Sequence, residues 1–413
     1  MADINKERKL SLTSNIIWNM AGNVLYLFSQ WTLTIIIARI AGYDELGVFS
    51  LAMSISNVGF TIAAWGIRNY QVSDVAHKYS DTEYLYTRVA TSIIAFGGVV
   101  AFAFICDYSG RQRLAIALYM LFRIGEALID VFHGMLQQRE RMDVVGKSFM
   151  LRGAFNFLIF FMLLYLTGSI IWAITGIVLS TVIVMAVWDY GCVKKLEIRT
   201  NRKKPMQIHA LMWECMPLAI QQALFNTYAT IPRFLLERIH GEVLLGIYSS
   251  ITTPVVIIQA MANFIMVPYA TQIARNVSEK NKGALTRSIL VVLSAITGTG
   301  LLAAGFFFLF GEYGLALLFG DEVAREHRVL LPSVGAIMLV AYDSFLNIIL
   351  IVFRQKRALV FANICSVICS IIWAESIISE YGLSGTSYVH ILALLTHLII
   401  TGAFTIREIR RIQ

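Results

Sequence analysis

The chain has 413 residues, of which 57% are hydrophobic and 15% charged, with a formal net charge of +8 and a mean hydropathy of +0.68. Soluble domains carry roughly 25% charged residues, so a soluble globular protein is excluded and an integral membrane protein is indicated. The basic excess then reads as a topology signal with some attraction to membrane lipid, and not as a nucleic-acid-binding surface.

A helix needs about 20 mostly apolar residues to cross a bilayer. Twelve stretches meet that need: 15–39, 45–66, 86–106, 114–135, 149–167, 169–189, 212–236, 245–268, 287–310, 329–353, 357–378 and 383–405. Basic residues gather in alternate connections: Lys6, Arg8 and Lys9; Arg68, Lys78 and Arg88; Arg139, Arg141 and Lys147; Lys194 to Lys204; Arg275 to Arg287; Arg354, Lys356 and Arg357; Arg407, Arg410 and Arg411. By the positive-inside rule these faces, including both termini, are cytoplasmic. No cleavable signal peptide is expected, because the first apolar stretch is long and studded with polar residues.

In the first stretch Asn19, Asn23, Tyr26, Gln30 and Thr34 fall on one helix face. A polar stripe facing lipid would leave hydrogen-bonding groups unpaired, so it faces either a wet cavity or neighbouring helices. Next comes ARIAGYDELGVFS at 38–50, which returns as ERIHGEVLLGIYS at 237–249, an ungapped echo 199 positions on. Such duplication marks a transporter of two lobes, and copies leaving the membrane on the same side require an even number of spans between them, a condition that two parallel six-helix lobes satisfy. The expected fold is therefore all-α and polytopic, with two parallel six-helix lobes.

The fourth stretch carries Arg123, Glu126 and Asp130 down one face, continued by His133 and Gln137. Each charge at the bilayer centre costs roughly 2.5–3.5 kcal/mol, so three in one helix call for a purpose or for mutual neutralisation. Glu126 and Asp130 are four apart, and holding both ionised in a low dielectric is unfavourable. They are therefore candidates for coupling to H+ or Na+, with uncoupled, downhill movement of the cargo and helix-to-helix bonding as the alternative. The basic run 194–205, ending at Pro205, is the linker between an N-terminal lobe at 1–193 and a C-terminal lobe at 206–413.

All six prolines lie in or after that linker, which places any proline-driven bending, at Pro217, Pro232 or the expected interruption at Pro254, in the second lobe. The seventh stretch repeats the first stripe with Gln222, Asn226, Thr230, Arg233 and Glu237, and Gln222 corresponds to Asn23 under the 199-residue offset. Asp343 with Asn347 in the tenth stretch and Glu375 in the eleventh stand between pairing and function; Asp343 is the next candidate for ion coupling. His390 and His397 read as packed or bonded core residues.

Catalytic and cofactor signatures are missing. Gly146-Lys147-Ser148 resembles the end of a phosphate-binding loop, but Arg141 stands where its first glycine belongs. No HExxH or paired CxxC occurs, the five cysteines are scattered in apolar stretches, and the longest outer connection, around 312–328, is too short for a catalytic domain. No cofactor and no metal are expected.

The segments SNIIWNMAGNVLYLFSQWTLTIIIARIAGYDELGVFSLAMSISN from Ser14, GIRNYQVSDV at 66–75, EALIDVFHGMLQQRERMDVVGKSFMLRG at 126–153 and IPRFLLERIHGEVLLGIYSSI at 231–251 are similar to Wzx-type polysaccharide flippases. These belong to the superfamily that also holds multidrug and toxin extruders. The resemblance implies a MATE-like pair of six-helix bundles in the cell (inner) membrane. Its cargo would be an undecaprenyl-diphosphate-linked oligosaccharide such as an O-antigen unit, and polysaccharide polymerase and chain-length proteins would be partners. Arginine grips phosphate oxygens in bidentate fashion, so Arg123 and Arg233 are the candidate diphosphate ligands, with Asn19, Asn23, Gln30, Gln222 and Asn226 toward sugar hydroxyls. A multidrug extruder of the superfamily would usually carry an acid in the first helix; this one has none.

Overall fold

A computed structural model describes residues 12–74, 77–195 and 206–412, which are helical with short connections and no strand. The basic tail at Lys6 to Lys9, most of the linker at 194–205 and the carboxyl-terminal residue Gln413 lie outside the described residues. In chain order the helices are α1 (Leu12–Ile40), α2 (Tyr43–Ala64), α3 (Ile67–Ser73), α4 (Asp81–Ile105), α5 (Gly110–Gln138), α6 (Met142–Thr167), α7 (Ile170–Val184) and α8 (Tyr190–Lys194), the last two joined by a π turn at Met185–Asp189. They continue with α9 (Ile208–His240), α10 (Glu242–Ser278), α11 (Lys282–Leu318), α12 (Asp321–Arg325), α13 (Leu330–Val352) and α14 (Lys356–Arg411).

Each of the twelve apolar stretches falls on a helix, the last two on the halves of α14, which break at Gly382 where φ is 53° and ψ is −124°. Eight helices among the described residues are long and apolar enough to cross a membrane; α5, α9 and α10 do not reach that measure, the first two because they carry the polar stripes. The expected interruption at Pro254 does not end its helix, since α10 runs unbroken through Pro254 and Pro268. Neighbouring helices absorb the freed carbonyls in such segments.

The chain divides into two compact units, Met1–Ala223 and Leu224–Gln413. In the first, α1 lies along α6, α2 packs on α4 and α5, and α5 reaches α7. Two serines start helices at the ends of this bundle: Ser80 and Ser109 each accept from the third amide of α4 and α5 and receive Glu83 or Gln112 in return, satisfying otherwise orphan donors. Asp74 closes the α3–α4 corner by accepting from the Lys78 and Tyr79 amides, at 2.9 and 3.1 Å, and from the Tyr84 hydroxyl at 2.8 Å. Burial pushes this carboxyl up, but those three bonds outweigh it and hold it below the ordinary value. The first turns of α9 join the same corner, where Glu214 accepts from Tyr70, Tyr79 and Lys78, and the Trp65 indole donates to the Met212 carbonyl at 2.8 Å.

In the second unit α13 packs against α10, α11 and α14 around an apolar core that includes Met266, Ile273, Val292, Phe345 and Ile349. The duplication read from sequence recurs in backbone conformation. Gly42 opens α2 with φ 91° and ψ 177°, and Gly241 opens α10 with φ 87° and ψ 173°, a left-handed region that glycine enters at no steric penalty. The echoed runs Leu46–Ser50 and Leu245–Ser249 are buried in both units.

Candidate functional site

The polar line on α5 is the centre of the first unit. Glu126, 8% exposed, accepts from Arg123 one turn earlier on α5, from the Tyr26 hydroxyl on α1, and from Arg152 on α6 at 3.3 Å. The Arg123 guanidinium stacks over the Phe60 ring at 3.9 Å and its side chain stays 21% exposed. Arg152 lies between the Tyr26 and Phe149 rings, 5.0 and 4.9 Å from their centroids. Asp130, a turn further along, takes Arg68 of α3 at 2.8 Å and Arg88 of α4 at 3.1 Å. Arg88 is fully buried and also donates to the Ala63 carbonyl at 3.0 Å, while Arg68 reaches Gln137 at 3.2 Å.

This geometry corrects two expectations. Arg68 and Arg88 were grouped with the cytoplasmic loop charges, yet both turn inward onto Asp130. Glu126 and Asp130, four apart, are unfavourable to hold ionised together, yet each sits between two arginines. Four guanidinium groups face two carboxylates, so the cluster around Glu126 and Asp130 carries an excess of positive charge. A carboxylate so neutralised is not the isolated acid that ion coupling through Glu126 or Asp130 requires. Arg152 was the missed member; its signal is that it stands alone as a charge in the apolar run FMLRGAFNF at 149–157.

The expected stripe on α1 is split. Tyr26 and Thr34 are buried, Asn19 and Gln30 half-buried, and Asn23 exposed. In its counterpart on α9, Gln222 is exposed and Asn226 half-buried, each with a polar partner. Arg233, in the second unit, is half-buried with its guanidinium 5.9 Å from the Tyr248 ring centroid, and no carboxylate pairs with it among the described residues. Asp343 is fully enclosed: the His397 ring of α14 lies against its Oδ1, and Oδ2 accepts from Asn347 at 3.0 Å and from Tyr228 at 3.4 Å. His397 is fully buried. Glu375 is exposed and joins neither cluster. Among the described residues no group of three or more metal-ligating side chains occurs.

Residues 12–274, well over half of the chain, match the family model described as polysaccharide biosynthesis protein. The chain belongs to the polysaccharide biosynthesis protein family. A relative agrees: the capsular polysaccharide biosynthesis protein CapF of Staphylococcus aureus is 23% identical over 384 residues, covering 91% of this chain and 94% of that protein. Two solved structures share the fold of this polysaccharide biosynthesis protein. The inward-facing conformation of a multidrug resistance MATE family transporter of the MOP superfamily has a TM-score of 0.66 at 14% identity, covering 96% of this chain and 95% of the other. A MOP superfamily transporter from Pyrococcus furiosus, reported for the reverse polarity of its binding pocket, gives 0.60 at 14% identity, covering 96% and 94%. This member of the family is a multi-pass membrane protein with a MATE-like fold.

Proposed function

We propose that this protein is a flippase that carries an undecaprenyl-diphosphate-linked oligosaccharide from the cytoplasmic to the outer leaflet by alternating access, for surface polysaccharide synthesis. Family membership and the capsular relative support the class of cargo. The observation that carries the reading is the sign of the charge where Glu126 and Asp130 sit: four arginines against these two carboxylates in one unit, and Arg233 without an acid partner among the described residues in the other. A cation extruder needs a negative interior; a diphosphate needs a positive one. Guanidinium groups suit a partly desolvated diphosphate because they stay charged and bind two oxygens at once. Asn19, Asn23, Gln30, Gln222 and Asn226 would serve sugar hydroxyls, and a polysaccharide polymerase and chain-length proteins would act next on the flipped product.

Reconstitution tests the reading. Proteoliposomes holding the purified protein and a fluorescent undecaprenyl-diphosphate oligosaccharide should expose the sugar on the opposite leaflet faster than empty liposomes, and Arg123→Ala with Arg233→Ala should remove the difference. Protein that accumulates cationic dyes and leaves the lipid-linked sugar in place would overturn it.

A further inference from the structure

His133 lies on α5 one turn beyond Asp130. Its Nε2 is 3.1 Å from the Ser148 hydroxyl of α6 and 3.2 Å from Oδ1 of Asp189, which ends the π turn between α7 and α8. The imidazole is 1% exposed and the carboxylate 0%. Oδ2 of Asp189 has no hydrogen-bond partner. An enclosed carboxylate with an open oxygen is unfavourable, and π turns inside α-helices are frequent at functional sites. The charged or titratable groups facing the pair are Arg152 from α6, Arg68 from α3 and Cys192 from α8, with Asp130 held away by Arg68 and Arg88.

In the second unit the pairing recurs with the residue types exchanged, Asp343 on α13 against His397 on the last part of α14. There Oδ2 accepts from Tyr228 and Asn347, whereas Asp189, among the described residues, has no second polar side chain on its carboxylate beyond His133. Position adds a consequence for the first pair. The Phe149 ring is 5.2 Å from the His133 ring and 4.9 Å from the Arg152 guanidinium, so a single ring separates the pair from the arginine that reaches Glu126. Counting Asp189 with Glu126 and Asp130, three carboxylates oppose four arginines and leave one net positive charge with neutral His133. One added proton makes it two, the charge that balances a diphosphate diester with one negative charge on each phosphorus.

We propose that His133 and Asp189 form a proton-binding site whose occupation raises the affinity of the neighbouring arginines for a diphosphate anion. The identity of that anion rests on the flippase reading; the proton site does not. One proton enters from water and is shared across Nε2 and Oδ1, and no other bond changes. By linkage, anion binding draws the proton in as strongly as the proton favours the anion.

Two measurements on the purified full chain in lipid nanodiscs test this. In pH-difference infrared spectra without cargo, acidification should produce a change in a buried carboxyl or imidazole band that both Asp189→Asn and His133→Gln abolish or shift. A difference spectrum untouched by either substitution would overturn the site. An undecaprenyl-diphosphate oligosaccharide, a diester whose own charge is constant over this range, should bind about tenfold more tightly on the acid side of the transition, a coupling within the usual range, and His133→Gln should flatten that profile while binding persists. A pH profile that survives His133→Gln would overturn the link to the anion and leave the flippase reading standing. No lipid binding at any pH, with the infrared change intact, would instead sink the cargo assignment and leave the proton site.

Discussion

Arg123 shares its carboxylate with Arg152, and that sharing separates a binding role from a structural one. Removing one partner of a buried ion pair usually costs about 3–5 kcal/mol because a charge is stranded. Here Arg152 still holds Glu126 at 3.3 Å, so Arg123→Ala should lower stability by much less and leave membrane levels near normal. Surface glycan should nonetheless be lost, and Arg123→Lys should recover only part of it, because a point charge replaces a planar fork. Quantifying glycan and protein in the same cells checks this. Recovery of export in the double variant Arg123→Ala with Glu126→Ala would show that the arginine only neutralises the acid. The line from Arg123 to Gln137 was legible because spacings of three and four place side chains on one face. The guanidinium groups of Arg68, Arg88 and Arg152 were not, since nothing in the local pattern says which helix they will meet.

Among the helices, the α1–α6 contact is set by glycine. A Cβ added to Gly146 would lie 2.2 Å from the Trp18 carbonyl oxygen, and one added to Gly22 would lie 2.1 Å from the Gly146 carbonyl oxygen. Ordinary contacts are 3.4–4 Å, so either substitution must push the two backbones apart, and small residues are what let membrane helices approach this closely. Gly97, on α4, has nothing within 4 Å of the same construction. Gly146→Ala should therefore lower the melting temperature and yield of the purified protein. Gly97→Ala should be neutral or stabilising by up to about 1 kcal/mol, the helix-propensity difference. Equal melting temperatures for the two variants would refute the close approach. Because α1 also delivers Tyr26 to Glu126, the separation should weaken the site as well as the bundle.

For the molecule as a whole, the alternation of basic connections predicts that the amino terminus, the linker from Lys194 to Lys204 and the carboxyl terminus share the cytoplasmic side. That prediction counts α5, α9 and α10 as spans and the two halves of α14 as separate ones, although among the described residues eight other helices alone reach the length and apolarity of a span. A reporter fused after Gln413 should be active only in the cytoplasm; activity outside would refute an even number of crossings. The duplication argues the same way, since Gly42 and Gly241 turn their chains in nearly the same conformation.

Composition, the 199-residue echo and the hydropathy windows were enough to determine an all-α membrane protein whose two halves echo each other, because apolar length and glycine corners are local properties of the chain. They also located the polar face of α5. Tertiary structure alone decided the sign of the charge around that face. The partners of Glu126, Asp130 and His133 come from α1, α3, α4, α6 and the π turn before α8, and in a low-dielectric interior those distant partners determine whether a carboxylate is an open acid or the counter-ion of an arginine cluster.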